Sequence, residues 1–372
     1  MKKILSVVAM SMALFVSSCT GNKQQVQSPY QEKMDVCMNT LLEARNDSTG
    51  IWPDAGWWNS ANLLTAVIRY ADVNEKKEKF IPIIEDVFTK TRKFPVYDAN
   101  GKFQFECENY VNDYYDDEAW WALAWIEAYK LTQNSEYLKM AEKIFEDLTT
   151  GWSDNVSGGG IFWKKNPLVY KNSIANNLFA LTAIRLYQQT KNKEYADWFE
   201  KEVNWYLKTG MYNTESNMIE DGLDDKTGKP NRGGFYSYNQ GVAIAVLTEM
   251  YVYKQDKKYL ELAENLAQSA LKNMVTENGI LRERNTEIAA GNDGVQFKGI
   301  FMRHLAFLYR VTGKQVYKDF MLKNADSILA NNYDEASKSF GCYWYGPFKE
   351  VKTAANSSAL ECVIEAEAMW KE

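Results

Sequence analysis

The chain has 372 residues, a formal net charge of −6, a single His and an aromatic content of 14%, including 12 Trp and 23 Tyr. An acidic balance argues against a nucleic-acid partner, which needs a basic face. One histidine, His304, excludes a His-rich zinc site, and no CxxC or HExxH spacing occurs.

Many flat rings with polar edges suit stacking on sugars, although much of this aromatic content must also fill a core. Lys2 and Lys3 precede an apolar run from Ile4 to Val16 and then Ser17, Ser18 and Cys19. That order reads as a bacterial lipoprotein signal over residues 1–19, with Cys19 as the lipidation site; conventional secretory cleavage is the alternative. Residues 20–28 read as a flexible polar tether and 29–372 as one domain. No later apolar run is long enough to span a membrane, so membrane contact is expected only through the lipid, on an outer-membrane lipoprotein facing the periplasm or the surface. Cys37, Cys107, Cys342 and Cys362 lack tight spacing and are expected as buried thiols.

Between residues 31 and 45, Met34, Cys37, Met38, Leu41 and Leu42 form one apolar stripe, the mark of an amphipathic helix. A loop with Trp52, Asp54, Trp57, Trp58, Asn59 and Asn62 leads into an apolar helix, and a charged helix over 79–92 follows. The pair recurs. Apolar helices are expected to begin near Trp58, Asp116, Asn172, Tyr238, Val295 and Asn356, with charged partners at 79–92, 135–149, 193–208, 257–273 and 315–330. The helix at 31–45 completes a second set of six. Helices apolar all round require burial on both sides, whereas striped ones keep one wet face. An all-α (α/α)6 toroidal barrel of six inner and six outer helices meets both demands; an open superhelix is the competing architecture.

In that ring every loop before an inner helix lies at one end, so the rim collects residues from the whole chain. Candidate ligand-binding residues there are Trp58, Asn62, Tyr115, Trp121, Trp163, Asp221, Tyr238 and Trp344. The glycines of Ser157-Gly158-Gly159-Gly160 serve either a turn or close backbone approach to a ligand. GxxxxGK[ST] and GxGxxG are absent, and the acids near Asp224 lack the ligand spacing of an EF-hand. No metal or cofactor is expected. His304 sits in an apolar helix and is expected to be structural.

The densest chemistry lies in Asn112-Asp113-Tyr114-Tyr115-Asp116-Asp117-Glu118-Ala119-Trp120-Trp121. Its acids could simply cap a helix. The flanking rings favour a ligand site instead. Cleaving a glycosidic bond takes one acid to protonate the leaving oxygen and one carboxylate to attack carbon or activate water. Consecutive Cα atoms are about 3.8 Å apart, which leans towards the roughly 5–5.5 Å carboxylate spacing of retaining enzymes. Neighbouring acids titrate as a pair, the second ionisation raised.

YYDDEAWWALAWIEAY, together with GGGIFW, NSIANNLFALTAIRLY, YNQGVAIAVLTEMY and FKGIFMRHLAFLY, resembles glycoside hydrolase family 76, the endo-α-1,6-mannanases. The resemblance extends over nearly the whole chain after the tether. It implies an (α/α)6 barrel, Asp116 as nucleophile and Asp117 as general acid/base (both catalytic), and α-mannan as the bound partner, cut in its α-1,6 backbone with retention. A monomer is expected. Other readings are a non-catalytic glycan-binding lipoprotein and an unsaturated glucuronyl hydrolase; an epimerase would want paired histidines.

Overall fold

The computed structural model describes residues 28–97, 103–283, 291–349 and 352–372. The leader, Cys19 and nearly all of the expected tether lie outside them.

Among the described residues, twelve α-helices alternate outer and inner. The inner set is α2 (Trp57–Val73), α4 (Tyr115–Thr132), α6 (Ser173–Thr190), α8 (Ser237–Lys254), α10 (Gly291–Thr312) and α12 (Thr353–Lys371). Each packs on the next, and α12 returns to α2, closing the ring. Outside it lie α1 (Gln31–Glu43), α3 (Lys77–Thr91), α5 (Ser135–Thr149), α7 (Lys193–Thr209), α9 (Lys257–Asn273) and α11 (Gln315–Asn331). This is the expected (α/α)6 barrel.

Burial explains the two classes. Every residue of α6 from Ser173 to Ile184 is buried, whereas α5 buries a single stripe, Tyr137, Met140, Ala141, Ile144, Phe145 and Leu148, at helical spacing. Helices α10 and α12 pack so tightly that a Cβ on Gly299 would lie 2.6 Å from the Ser358 carbonyl oxygen, so only glycine fits there.

The two ends differ. Inner-to-outer turns are short: α4, α6 and α8 each end in a left-handed residue (Gln133, Lys191, Gln255), and the next residue caps the following helix through its side chain (Asn134, Asn192, Asp256). Outer-to-inner loops are longer and carry antiparallel hairpins: β1 (Lys93–Tyr97) with β2 (Phe103–Glu108), β3 (Tyr212–Asn213) with β4 (Met218–Ile219), and β5 (Tyr333–Asp334) with β6 (Ser339–Phe340). A common device ties these loops to the ring. The fourth residue of α2, α4, α6, α8 and α12 (Ser60, Glu118, Asn176, Gln240 and Asn356) accepts a backbone N–H from the loop before it: Trp52, Asn112, Ile161, Ile219 and Phe340. Each bond satisfies a loop amide that would otherwise be buried unpaired. It also fixes the rim.

Candidate active site

Asp116 and Asp117 are the second and third residues of α4, after an extended N-cap residue, Tyr114, that makes no side-chain cap bond. Neither acid is the N-cap residue itself, although the first-turn N–H groups still favour the charged form of Asp116. Each is held by a different neighbour. The Trp163 indole N–H donates to Asp116 Oδ2 at 3.1 Å, and the Asn112 amide donates to Asp117 Oδ2 at 2.9 Å. No side chain takes Asp116 Oδ1.

Both donors are placed by backbone pairing. Tyr115 N–H donates to the Trp163 carbonyl at 3.0 Å and Lys165 N–H to the Asp113 carbonyl at 2.9 Å, zipping the loop after α5 to the entry of α4. Below them the buried Glu118 carboxylate accepts from the Asn112 backbone at 2.9 Å and from Lys165 Nζ at 2.6 Å, and Lys165 also pairs with Asp147 at 2.6 Å. The loop carrying Asn112 is thus braced by a buried ion pair.

Electrostatics separates the two acids. Desolvation raises Asp116 to about 7, opposed by the Trp163 bond and the helix-start N–H groups. Asp117 is raised well above the ordinary carboxyl range, by desolvation first and then by the Asp116 charge. Asp293, on the first turn of α10, adds its charge to both and accepts the Trp58 indole N–H at 2.9 Å. The two carboxyls therefore titrate as one pair that loses its protons in two steps.

The Tyr238 ring stacks on Phe297, centroids 3.9 Å apart and nearly parallel. Its hydroxyl is pushed well above the ordinary phenol value by desolvation and by the charges of Asp221, Asp116 and Asp293, which gathers these groups around one cleft. Asp221 accepts from the Tyr170 hydroxyl at 2.7 Å and the Asn239 amide at 3.2 Å. Trp58, Trp163, Asp221 and Tyr238 are partly open along that cleft.

Four other candidates are enclosed. Tyr115 is buried with its hydroxyl on Thr150, and Trp121 lies in a ladder with Trp57, Tyr110 and Trp125. Trp344 is fully buried beneath the Lys298 ammonium. Asn62 is buried one turn below the rim, accepting from Arg303 at 2.7 Å. These side chains form the wall, because a ring on an inner helix meets its neighbour helix before it meets the cleft. The glycine run is structural too: Gly160 has φ +80°, and a Cβ there would lie 2.1 Å from the Trp205 ring. Buried Lys171 donates to the carbonyls of Ser153, Val156 and Gly159 and clamps the same loop.

Sequence reasoning did not single out Asn112 as a partner of the pair or Asp293 as its third charge. Asn112 did carry a signal, an amide five residues ahead of Asp117 in the same loop. His304 is 6% exposed and packed within the ring, held well below the usual imidazole value by burial and by Arg303, Arg185 and Arg310. Cys37, Cys107, Cys342 and Cys362 are buried, with no disulfide among the described residues. No group of acids, His or Cys among the described residues could hold a metal ion.

Among known proteins, a mannan endo-1,6-alpha-mannosidase of Candida albicans is 25% identical over 280 residues, covering 68% of this chain but only 58% of that protein. The structure of the GH76A alpha-1,6-mannanase from Salegentibacter sp. HEL1_6 superposes with a TM-score of 0.78 at 25% identity, covering 91% of this chain and 99% of that one. An inactive variant of the same mannanase, with two adjacent aspartates changed to alanine and solved with alpha-1,6-mannotetrose, gives a TM-score of 0.79 at 24% identity over 92% of this chain and 99% of that one. The family model for glycosyl hydrolase family 76 matches residues 23–371. This chain belongs to glycosyl hydrolase family 76.

Proposed function

We propose that the protein is an endo-acting, retaining glycoside hydrolase that cuts the α-1,6-linked backbone of mannan. The observation that carries this reading is the pair of consecutive, desolvated carboxylates in the rim cleft, each oriented by its own donor and both raised in pKa by burial. The inactive mannanase variant altered at two adjacent aspartates supports it.

Asp116, whose charged form the helix-start amides favour, is the nucleophile. With Oδ2 held by Trp163, its carboxylate attacks the anomeric carbon while Asp117 gives its proton to the departing glycosidic oxygen. Asp117, now ionised, takes a proton from water, and that water displaces the Asp116 ester, so two inversions leave the configuration unchanged. Trp58, Trp163 and Tyr238 offer faces and edges to successive sugars, and Asp221 accepts from a hydroxyl. The leader reading places the enzyme in the cell envelope, anchored through Cys19.

Incubation with debranched α-1,6-mannan, following new reducing ends and the first anomer by NMR, tests the reading. Short oligosaccharides appearing first as the α anomer support it. The β anomer would exclude double displacement, and tight binding without cleavage would move the assignment to a glycan-binding protein.

A further inference from the structure

A second cavity, of about 470 Å³, lies inside the ring, lined by the middle and C-terminal parts of α2, α4, α6, α10 and α12, with Trp120 reaching it from the second turn of α4. It faces the end opposite the catalytic acids. The short turns at that end leave its mouth open: Asp72, Lys130 and Arg310 are 57%, 41% and 40% exposed, whereas Glu365, His304 and Trp120 deeper in are nearly buried. Its volume falls within the usual range for small-molecule sites.

Charges are numerous but balanced. Arg69 pairs with Glu365 at 2.9 Å and Asp72 at 2.7 Å, Arg185 with Glu249 at 2.8 Å, Arg303 with Glu361 at 3.0 Å, Arg310 with Glu365 at 2.8 Å, and Lys130 with Glu127 at 2.7 Å. An ionic ligand would lose its hydration and meet no uncompensated partner. A neutral ligand with many hydroxyls meets a better surface. Guanidinium forks keep spare N–H donors beside carboxylates with spare lone pairs, and each sugar hydroxyl both donates and accepts. Trp120, Phe307, Leu123 and Leu181 supply flat and aliphatic faces for sugar C–H groups. His304, lining the same space, has an Nε2 with no hydrogen-bond partner, and its depressed basicity leaves a neutral imidazole.

We propose that this far-end cavity is a second carbohydrate site, binding a neutral mono- or disaccharide without cleaving it. No adjacent acid pair lies there. A layer made by Trp58 stacked on Trp120 at 5.9 Å, with the Arg303 guanidinium 5.9 Å from the Trp120 ring, separates it from the catalytic cleft. The site is argued from its own lining, although taking a mannoside as its ligand rests on the mannanase reading.

The test is titration of the intact protein with α-1,6-mannobiose and, separately, with methyl α-glucopyranoside, by calorimetry and by crystal soaking. Expected are sugar density beside Phe307 and a binding event that Leu123→Trp, which adds a ring in the cavity, weakens about tenfold or more while mannan turnover stays unchanged. Arg310→Gln, at the exposed mouth, should weaken it in the same direction and serves if the tryptophan variant does not fold. Density confined to the catalytic cleft, binding indifferent to both variants, or uptake of inorganic phosphate in place of either sugar would overturn the proposal. A mannan turnover of zero with far-end binding intact would sink the mannanase reading alone.

Discussion

Replacing Trp163 by Phe removes one N–H and leaves most of the ring that packs edge-on against Tyr114. The lost hydrogen bond is made to an ionised carboxylate, a class worth about 1.5–3 kcal/mol. Since 1.36 kcal/mol corresponds to one pKa unit, Asp116 should titrate about 1–2 units higher than in the wild type. Its starting value is already about 7. The nucleophile must be ionised, so the acidic limb of the kcat/KM profile on α-1,6-mannan should move up by that amount, with a smaller effect on the basic limb, which Asp117 governs. At pH 6 the variant should be at least about tenfold slower, and raising the pH should recover much of the loss. An acidic limb that stays in place, in a variant with unchanged circular dichroism and Tm, would refute the idea that this indole sets the acidity of the nucleophile.

The remaining tests separate chemistry from architecture. Asp116→Asn should abolish turnover yet raise Tm near pH 7: an acid whose pKa is higher folded than unfolded binds more protons in the native state, so its contribution falls as pH rises from about 4 towards 7. Scans at pH 4 and pH 7 check the sign, since the gain should shrink at the lower pH. Tyr238→Ala should raise KM for mannan about tenfold with a smaller change in kcat, read from initial rates, because it deletes an aromatic face stacked on Phe297 and not a reacting group. Gly160→Ala should lower the urea midpoint through a loss of at least about 2 kcal/mol, since the added methyl runs into Trp205 at a positive φ. Asn176→Ala should destabilise by about 1–3 kcal/mol in the same assay, leaving the Ile161 backbone groups unpaired.

The barrel was legible because each of its two helix classes writes a different pattern. A helix buried on both sides, such as α6, shows apolar and small residues all round, and α5 shows one stripe; alternation of the two six times leaves a closed double ring as the arrangement that buries both. The hairpins were not legible. Strands of two residues, such as Tyr212–Asn213, carry no periodicity, and their pairing depends on a clamp from a residue far along the chain, Gln240 in that case. The polar residues at the fourth position of the inner helices, such as Asn176 and Gln240, are spent on the rim's own backbone, a role that no local pattern announces.

The acid pair stood out because its members are adjacent in sequence, but its acidity is a property of neighbours that the fold delivers. Trp163 arrives from the loop after α5 and Asp293 from α10, and neither contact follows from local spacing. The rings misled in the opposite direction. The rings flanking the Asp pair suggested a ligand site, yet Trp121 and Trp125 fill the wall between helices while Tyr238, from α8, lies within reach of the acids' charge. A more dependable signal lay in charge. Arg69, Glu127, Arg185, Arg303 and Glu365 interrupt helices that are otherwise apolar, and a charge inside a ring of helices persists only if it is paired or serves a polar space. Reading each such interruption as a requirement for a partner would have pointed to the far-end cavity before any coordinates, since all five fall in the second half of an inner helix and so at the same end of the barrel.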